Sequence, residues 1–320
     1  MGILERAKDL RRIIKKHEVV FIVGHKDLDL DAIGGALGMS YIVKKFSRDA
    51  YIIIDDETFE PGVEKIINQT LKSNFIKSED LDKKKKTKNL LIVVDCNKPF
   101  LLQNSDLINQ FSDVIVIDHH QPNASSIQNG MLLIDTESSS ACELVTELIY
   151  YYGIKLEPEI ATTILGGIVL DTNNFVVKTH AKTYFAAYHL TTFGADPTKV
   201  QFYLKQDIKD YIIRQKVIID VEIVNEWFAV TAGDESIKYK REELAKIADT
   251  LLQFNGVTAS FVVGRLVDGN IGISARSEGK IDVGAILEKL NGGGGKQEAA
   301  AQIKDKTIEQ VKKQLLEILN

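Results

Sequence analysis

The sequence has few cysteines and no long apolar run, and each absence excludes a class of protein. Its 320 residues include only 2 cysteines, so we expect neither a disulfide framework nor a CxxC metal site. No segment reaches the ~20 consecutive apolar residues of a membrane-spanning helix. The N-terminal stretch MGILERAKDLRRIIKKHE has the pattern of a charged amphipathic helix, not of a signal peptide. These absences predict a cytoplasmic chain without a membrane segment.

Basic residues do not predominate either. The chain has 40 Lys and Arg against 45 Asp and Glu, which gives a formal net charge of −5. This balance provides no broad positive surface for nucleic acid, so long duplexes are not expected partners. Histidine is scarce, with 6 residues, yet His25, His119 and His120 fall in two short motifs.

The first half of the chain alternates between apolar runs and helical patterns. Continuous apolar runs between helices are typical of parallel strands buried on both faces. We predict strands over Glu18–Val23, Tyr51–Ile54, Leu90–Val94 and Val114–Ile117, and helices over Asp31–Phe46, Ser138–Tyr152 and Glu157–Val169. This pattern predicts an α/β domain with a doubly wound, mostly parallel sheet.

The remainder of the chain is expected to form a helical linker and a smaller α/β domain. The linker, residues 183–225, has helical patterns without strands. After it we predict strands over 227–231, 259–266 and 271–275, helices over 241–252 and 281–290, and one more helix after Gly292–Gly295. The expected domains are therefore residues 1–182, 183–225 and 226–320.

The segment GHKDLDLDAIGG follows the first predicted strand directly and carries His25, Asp27, Asp29 and Asp31. Ligands of open α/β sheets bind beyond the carboxyl ends of the strands, and alternating carboxylates beside an imidazole suit a divalent metal. The alternative is a capping loop in which Asp31 caps the next helix. One cap does not require three aspartates and a histidine, so we favour a metal site.

Three further apolar segments also end in acidic or imidazole groups. Asp95 closes LLIVVDC, Asp118, His119 and His120 close VIVIDHH, and Asp171 closes GGIVLD. Carboxylates brought together repel one another unless cations neutralise them, which indicates a two-metal centre. Such a centre promotes attack of hydroxide on phosphorus. His and Asp donors without Cys favour Mn²⁺ or Mg²⁺.

Two features of the C-terminal region suit phosphate binding. Arg276, in ISARS, is placed just after a predicted strand and offers a planar fork to a phosphate or a base edge. Gly292–Gly295 allow backbone N–H groups to approach a phosphate closely. The alternative for the glycine run is a flexible linker.

Taken in order, these motifs resemble those of the DHH phosphoesterase superfamily. HKDLDLDAIG resembles its first motif, VVDC its second, VIDHH its third and LDTNNF its fourth. ISARS followed by NGGGGKQEAA resembles the DHH-associated C-terminal domain, so the resemblance covers nearly the whole chain. HKDLDLDAIGGALG, SSSACELVTELIYY and LGGIVLDTNNF are most similar to the GdpP-like cyclic-di-AMP phosphodiesterases.

The resemblance implies two divalent ions, with Mn²⁺ preferred and Mg²⁺ or Co²⁺ as substitutes. The implied ligands are His25, Asp29 and Asp95 for one ion, and Asp31, Asp95, His119 and Asp171 for the other. Asp95 would therefore bridge the two. Asp27 stands where the family has Asn and is not counted as a ligand.

It also implies roles for the surrounding residues. His120 would act beside the substrate phosphate as a hydrogen-bond or proton donor, and Asp118 would orient a histidine. The implied substrate contacts are Ser139, Ser140, Arg276, Gly293, Gly294, Gly295 and Lys296. For the serine pair, helix capping is an equal alternative. Lys296 replaces the histidine that follows the glycines in the family, which puts substrate preference in question.

The implied activity is hydrolysis of cyclic-di-AMP to pApA, with further hydrolysis to AMP left open. The alternatives are an oligoribonuclease or 3′-phosphoadenosine-5′-phosphate phosphatase, and a nucleotide sensor without catalysis. Expected partners are a cyclic dinucleotide or short oligonucleotide and, from the resemblance alone, a second copy of the chain in a homodimer. Inorganic pyrophosphatase activity is disfavoured because the C-terminal domain implies a nucleotide-sized ligand.

Overall fold

Two compact units make up the chain, Met1–Lys205 and Gln206–Asn320. The computed structural model describes residues 3–57, 59–70, 74–205 and 207–319, without the side chain of Leu4. No helix in these ranges is both long enough and apolar enough to cross a bilayer.

A six-stranded parallel sheet runs through the first unit. Its strands are β1 (Val19–Val23), β2 (Asp49–Ile53), β3 (Phe75–Ile76), β4 (Asn89–Val94), β5 (Asp113–Asp118) and β6 (Met131–Ile134). Their spatial order is β3-β2-β1-β4-β5-β6, and every neighbouring pair is parallel. The chain therefore moves outward from β1 in one direction and then from β4 in the other, which confirms the doubly wound fold.

Helices cover both faces of this sheet. They are α1 (Ala7–Lys16), α2 (Leu30–Lys45), α3 (Pro61–Gln69), α4 (Leu81–Lys84), α5 (Leu107–Gln110), α6 (Ala141–Tyr152), α7 (Pro158–Asp171), α8 (Ala181–Thr192) and α9 (Pro197–Tyr203). All five residues of β1 are buried. Val20 and Ile22 join the core that contains α2, whereas Phe21 joins the core on the other face. This division explains why the strands are apolar throughout instead of alternating.

Close packing among α2, α6 and α7 depends on glycine. A Cβ atom on Gly34 would lie 2.7 Å from the Cys142 Sγ, and one on Gly38 would lie 2.5 Å from the Val145 Cγ1. On Gly167 it would lie 2.7 Å from Oδ1 of Asp31. These glycines bring the three helices together around the start of α2.

A second sheet, with helices on both faces, forms the Gln206–Asn320 unit. Its strands are β7 (Glu222–Val224), β8 (Phe228–Ala232), β9 (Lys238–Tyr239), β10 (Ala259–Leu266), β11 (Ile271–Ser277), β12 (Gly293–Gly294) and β13 (Glu298–Ile303). Its helices are α10 (Ile208–Ile219), α11 (Arg241–Leu251), α12 (Val283–Glu288) and α13 (Ile308–Leu319). The strand order is β12-β13-β11-β10-β8-β7, with β9 beside β10.

Two local predictions for this part of the chain were wrong. The segment after the glycine run is strand β13, not a helix, because antiparallel pairing with β11 and burial of Ala299 and Ala301 outweigh the helix propensity of EAAAQI. The 183–225 region also contains a strand, β7, which pairs with β8. The helices of that region are divided between the units: α8 and α9 belong to the first and α10 to the second.

Candidate metal centre

The carboxyl ends of three adjacent strands, β1, β4 and β5, bring imidazole and carboxylate side chains together. His25 and Asp29 follow β1, Asp95 follows β4 directly, and Asp118 is the last residue of β5. The strand order reverses at β1 and β4, which is where open α/β sheets bind their ligands.

The start of α2 supplies two carboxylates that are held by backbone N–H groups. Asp29 Oδ1 accepts hydrogen bonds from the backbone N–H of Asp31 and Ala32, both at 2.9 Å. The cap of α2 is thus Asp29 and not Asp31, which corrects the capping alternative. Asp31 instead accepts from the N–H groups of Ala141 and Cys142 at the start of α6, at 2.7 and 2.8 Å. Positive charge at that helix end favours a carboxylate there.

Three clusters of potential metal ligands lie at this edge of the sheet, each with ligand atoms within 4.8 Å of one another. They are His25, Asp29 and Asp95; Asp31, His119 and Asp171; and Asp95, Asp118, His119 and His120. All six residues that the sequence predicts as ligands are present in these clusters. Asp27, which was not counted as a ligand, is exposed and belongs to none of the clusters found among the described residues.

The carboxylate of Asp95 lies between two of these clusters. Its Oδ2 is 3.4 Å from Nε2 of His25, and its Oδ1 is 3.3 Å from Nε2 of His119. His119 Nε2 is also 3.1 Å from Oδ2 of Asp171 and 3.9 Å from Oδ2 of Asp31. One oxygen of Asp95 therefore faces each histidine, which is the arrangement that a bridging carboxylate requires.

The protonation of the cluster reflects crowding of carboxylates in a buried place. Burial raises the pKa of Asp31 well above its usual range, and the nearby Asp95 and Asp171 raise it further. Burial also raises the pKa of Asp171, to about 6, although His119 opposes this shift. For Asp95, burial acts upward, but His119 and His25 outweigh it and lower the pKa. The cluster is thus stabilised only when positive charge lies among the carboxylates.

The histidines carry that positive charge when no cation is bound. Burial alone lowers the pKa of His25, but Asp29 and Asp95 outweigh it and raise the pKa to about 12. His119 behaves in the same way, because Asp171 and Asp95 raise its pKa to about 11 against the effect of burial. Divalent cations would replace these protons, as metal binding to imidazole releases them.

Divalent ions fit the donors that this site offers. Oδ1 of Asp95 and both ring nitrogens of His119 are buried and have no properly aligned hydrogen-bond partner in the described part of the chain. Buried polar atoms are normally paired, so these atoms are consistent with metal ligation. The donors are imidazole nitrogens and carboxylate oxygens without a thiolate, a set that suits Mn²⁺ or Mg²⁺.

His120 lies at the exposed edge of the cluster and is oriented by Asp118. Its Nδ1 donates to Oδ1 of Asp118 at 2.8 Å, which also accepts from the backbone N–H of His119 and His120. The side chain of His120 is 55% exposed. This contact with Asp118 raises the pKa of His120 and leaves Nε2 as the ring nitrogen available to a ligand.

Asn97 is a supporting residue that the sequence analysis missed. Its Nδ2 donates to the backbone oxygen of His120 at 3.0 Å, and its Oδ1 accepts from Oγ of Ser126 at 2.7 Å. Asn97 is buried, so it fixes the backbone that carries the two histidines. Its position two residues after Asp95 was the only available signal.

The serine pair lies at the start of α6 and is fully buried. Ser140 caps the helix, because its Oγ accepts from the N–H of Glu143 at 3.0 Å. Ser139 donates from Oγ to the Oε2 of Glu143 at 2.6 Å. Both hydroxyls thus have partners within the helix terminus, and a contact with substrate stays a prediction.

In the second unit, Arg276 lies within β11 and not just after it. Its Nε donates to Oδ1 of Asp249 at 2.8 Å. Gly293 and Gly294 form β12 and pair with β13. A Cβ on Gly294, whose φ is +152°, would lie 2.4 Å from the Glu298 oxygen, so this position requires glycine. Gly294, Gly295 and Lys296 are exposed.

Comparison with known proteins agrees with this geometry. The N-terminal domain of the DHH family matches residues 19–168, and the DHHA1 domain matches residues 225–320. The chain is 36% identical over 324 residues to the cyclic-di-AMP phosphodiesterase PdeA of Listeria monocytogenes, covering 97% of this chain and 49% of that protein. The chain therefore spans about half the length of this curated relative.

Two further proteins are similar to this chain over almost their whole length. The bifunctional oligoribonuclease and PAP phosphatase NrnA of Thermus thermophilus is 25% identical over 320 residues, which is 98% of this chain and 93% of that protein. The crystal structure of an exopolyphosphatase-related protein from Bacteroides fragilis has a TM-score of 0.80 at 21% identity, covering 98% of this chain and 96% of that one. The chain belongs to the DHH family, with the DHH N-terminal domain in its first unit and the DHHA1 domain in its second.

Proposed function

We propose that this protein is a metal-dependent phosphodiesterase that hydrolyses cyclic-di-AMP to pApA. The observation that carries the proposal is the position of Asp95, with one carboxylate oxygen near His25 and the other near His119. The substrate is chosen because PdeA, named for this activity, is 36% identical across 97% of the chain. Hydrolysis of pApA to AMP is a further step that the same centre would allow.

The proposed centre holds two divalent ions, with Mn²⁺ preferred. His25, Asp29 and Asp95 would hold one ion, and Asp31, Asp95, His119 and Asp171 the other. When bound, the ions would lower the pKa of the attacking water and neutralise charge on the phosphoryl oxygens. Two of the carboxylates, Asp29 and Asp31, are already fixed by backbone N–H groups at α2 and α6, so these two need little reorganisation on binding.

The remaining step belongs to the histidine beside the centre. The attacking water releases one proton to solvent and its oxygen bonds to phosphorus, the bond from phosphorus to the ribose O3′ breaks, and O3′ takes up a proton. His120 is suited to donate this proton from Nε2, because Asp118 holds its Nδ1 and raises its pKa. We propose that the distal nucleotide is bound by residues of the second unit, namely Arg276, Gly293, Gly294, Gly295 and Lys296. Arg276 would donate hydrogen bonds to its phosphate.

A second candidate function has its own support. NrnA, named an oligoribonuclease and PAP phosphatase, is 25% identical to this chain across 98% of the chain's residues. An oligoribonuclease and 3′-phosphoadenosine-5′-phosphate phosphatase would use the same metal ligands on a smaller phosphate ester. The two candidates differ in substrate and not in chemistry.

Product analysis separates them. The purified chain, incubated with Mn²⁺ and cyclic-di-AMP, pApA, a short RNA or 3′-phosphoadenosine-5′-phosphate, would be followed by chromatography. We expect cyclic-di-AMP to give pApA and EDTA to abolish this turnover. Intact cyclic-di-AMP beside degraded pApA or RNA would favour the second candidate, and nucleotide binding without turnover would favour a sensor.

We also propose that the chain forms a homodimer through the exposed face of α8. Tyr184, Phe185 and Tyr188 lie on this face, and Tyr150 of α6 contacts Phe185 at 5.0 Å between ring centroids. These four rings are 39–66% exposed. With about 200 Å² per aromatic side chain, they expose roughly 400 Å², half of the ~800 Å² that one partner contributes to a standard interface. Aromatic residues are enriched in the middle of such interfaces.

Light scattering coupled to gel filtration tests the dimer. We expect a mass of two chains for the wild type and of one chain for Tyr184→Lys/Tyr188→Lys. Asn68→Lys, at an exposed position of α3 and away from this face, serves as the control for added charge. A wild-type mass of one chain at micromolar concentration would contradict the proposal.

A further inference from the structure

A basic pocket of about 410 Å³ lies in the first unit, at the C-terminal ends of α1, α2 and α6. Three cations line it, Arg11 and Lys15 from α1 and Lys45 from α2. The aromatic rings of Phe46, Tyr151 and Tyr152 form the rest of its wall. No acidic side chain is among its lining residues.

The three cations of this pocket are not neutralised by a neighbouring carboxylate, as some other surface cations are. Arg12, next to Arg11, pairs with Asp9 at 2.8 Å, and Lys86 pairs with Asp49 at 2.8 Å. By contrast, Arg11, Lys15 and Lys45 form no ion pair with any residue of the described ranges. In a chain of net charge −5, three unpaired cations around one concave surface make a local positive potential that attracts anions.

The walls of the pocket are fixed by contacts of their own. Arg48 donates from Nη2 to the backbone oxygen of Lys15 at 2.8 Å and from Nη1 to that of Ser47 at 3.0 Å, which joins the ends of α1 and α2. The Tyr152 hydroxyl donates to the backbone oxygen of Ala7 at 2.5 Å, and its ring contacts the edge of Phe46 at 5.0 Å. The site is therefore shaped before a ligand binds.

Interaction with helix dipoles explains only part of this arrangement. A lysine in the last turn of a helix is stabilised by the negative helix end, which accounts for Lys15 and Lys45. Arg11 lies one turn earlier, where this effect has faded, and its guanidinium is 5.5 Å from the centre of the Phe46 ring. Packing into the core accounts for Phe46 and Tyr152, but neither core packing nor a helix dipole accounts for Arg11 or for the exposed ring of Tyr151.

We propose that this pocket binds a nucleoside polyphosphate as a site separate from the metal centre. Three cations suit two or more phosphate groups, with the planar fork of Arg11 as the bidentate donor. Tyr151, which is 43% exposed, offers a ring face on which a base stacks. The volume falls in the range of small-molecule sites. The 16 residues of α2 separate the pocket from Asp29 by about 24 Å, so this ligand and the substrate bind at different places.

Calorimetric titration of the whole chain in EDTA tests the proposal, because metal removal leaves the catalytic centre without its phosphate-binding ions. The probes are ATP, inorganic triphosphate and adenosine. We expect ATP to bind, and Arg11→Gln/Lys15→Gln to weaken it tenfold or more, since each charge-assisted bond is worth about tenfold in affinity. Lys44→Gln, at the same end of α2 but outside the lining, is the matched control and should change affinity less than twofold.

Further variants and ligands decide the chemistry of the site. Tyr151→Ala should weaken ATP but leave inorganic triphosphate unchanged, and equal loss for both would overturn the stacking assignment. Thermal melting of each variant shows that it is folded.

The proposed site is overturned if ATP binds the wild type and Arg11→Gln/Lys15→Gln with equal affinity, or if ATP does not bind at all. A third outcome is that the wild type does not bind ATP but binds phosphatidylglycerol vesicles, and that the double variant does not. This result would overturn the nucleotide site in favour of a lipid-binding surface. Mn²⁺-dependent turnover by the double variant is measured separately, so failure here is distinct from failure of the proposed function.

Discussion

The two units present their functional side chains in opposite ways. In the first, Asp31 and Asp95 are buried, and Asp31 is held by two backbone N–H groups of α6. In the second, Lys296 and the end of the glycine run are exposed, and Arg276 is held by the side chain of Asp249. The candidate metal ligands of the first unit are thus largely enclosed by the protein, whereas Lys296 and the glycine run of the second unit can be reached by solvent.

This contrast indicates where the protein tolerates change. Cations require ligands at fixed distances and angles, so their positions must be built by backbone and packing before binding. Contacts to a flexible nucleotide can be adjusted by side chains. It is consistent with this difference that all six expected metal ligands are present. The two departures from the family pattern fall at exposed residues, Asp27 in the first unit and Lys296 in the second.

The largest expected effect comes from breaking the buried centre at Asp95. Asp95→Ala removes the carboxylate that lies between His25 and His119, and we expect phosphodiesterase turnover to fall by about 10³-fold or more, since a metal supplies several kcal/mol to the transition state. Melting in the presence and absence of Mn²⁺ gives an independent measurement, because bound metal stabilises the wild type. Near-normal turnover by Asp95→Ala would contradict the two-metal assignment.

The second-largest effect is expected at Arg276, the predicted phosphate contact of the second unit. Arg276→Ala should raise KM by about 10- to 100-fold, because an arginine–phosphate contact is worth roughly 1.5–3 kcal/mol, while kcat changes less. Arg265→Ala is the matched control, since Arg265 lies on the neighbouring strand β10 and pairs with Glu235. Steady-state kinetics on cyclic-di-AMP measure both. A loss in kcat with unchanged KM would place Arg276 in the chemical step.

A smaller effect is expected at the helix that holds Asp31. Ser140→Ala removes the cap of α6, and we expect the free energy of unfolding to fall by about 1 kcal/mol, as measured by urea denaturation. KM should stay unchanged if Ser140 only caps the helix. A raised KM at full stability would instead favour the substrate contact that the family resemblance implies. Ser125→Ala, in an exposed loop, controls for loss of a hydroxyl.

The smallest effect is expected at the exposed aspartate of the first motif. Asp27→Asn should change turnover by less than about twofold, because Asp27 lies outside every ligand cluster among the described residues. Its φ of +57° is a conformation that Asn adopts readily, so the fold should tolerate the change. A large loss of Mn²⁺ affinity in this variant would bring Asp27 into the centre and revise the ligand set.

Much of the first unit could be predicted from local pattern. Strands β1, β4 and β5 are continuous apolar runs, and each is followed or ended by the acidic residue that the site uses. Parallel strands place such ends at one edge, so the sequence alone brings His25, Asp95 and Asp118 together. The resemblance to a known family then indicates which of these residues are metal ligands and which are not.

Other features depend on partners that are remote in the chain. Strand β3 has two residues, too few to carry a pattern, and exists because it pairs with β2. Strand β13 reads as a helix until β11 is beside it. The hydrogen bond from Ala141 to Asp31 joins residues 110 positions apart, and it gives the start of α6 a role that a serine run cannot reveal.

That hydrogen bond connects the metal site to the tertiary structure. The N–H groups that hold Asp31 belong to α6, and α6 keeps its position through close contacts with Gly34 and Gly38 of α2. A substitution that displaces α6 slightly would move Asp31, a proposed metal ligand, and ligand-orienting groups strongly influence metal affinity. Such a variant would lose metal while remaining folded, so the metal content of a purified sample would serve as a sensitive assay of helix packing.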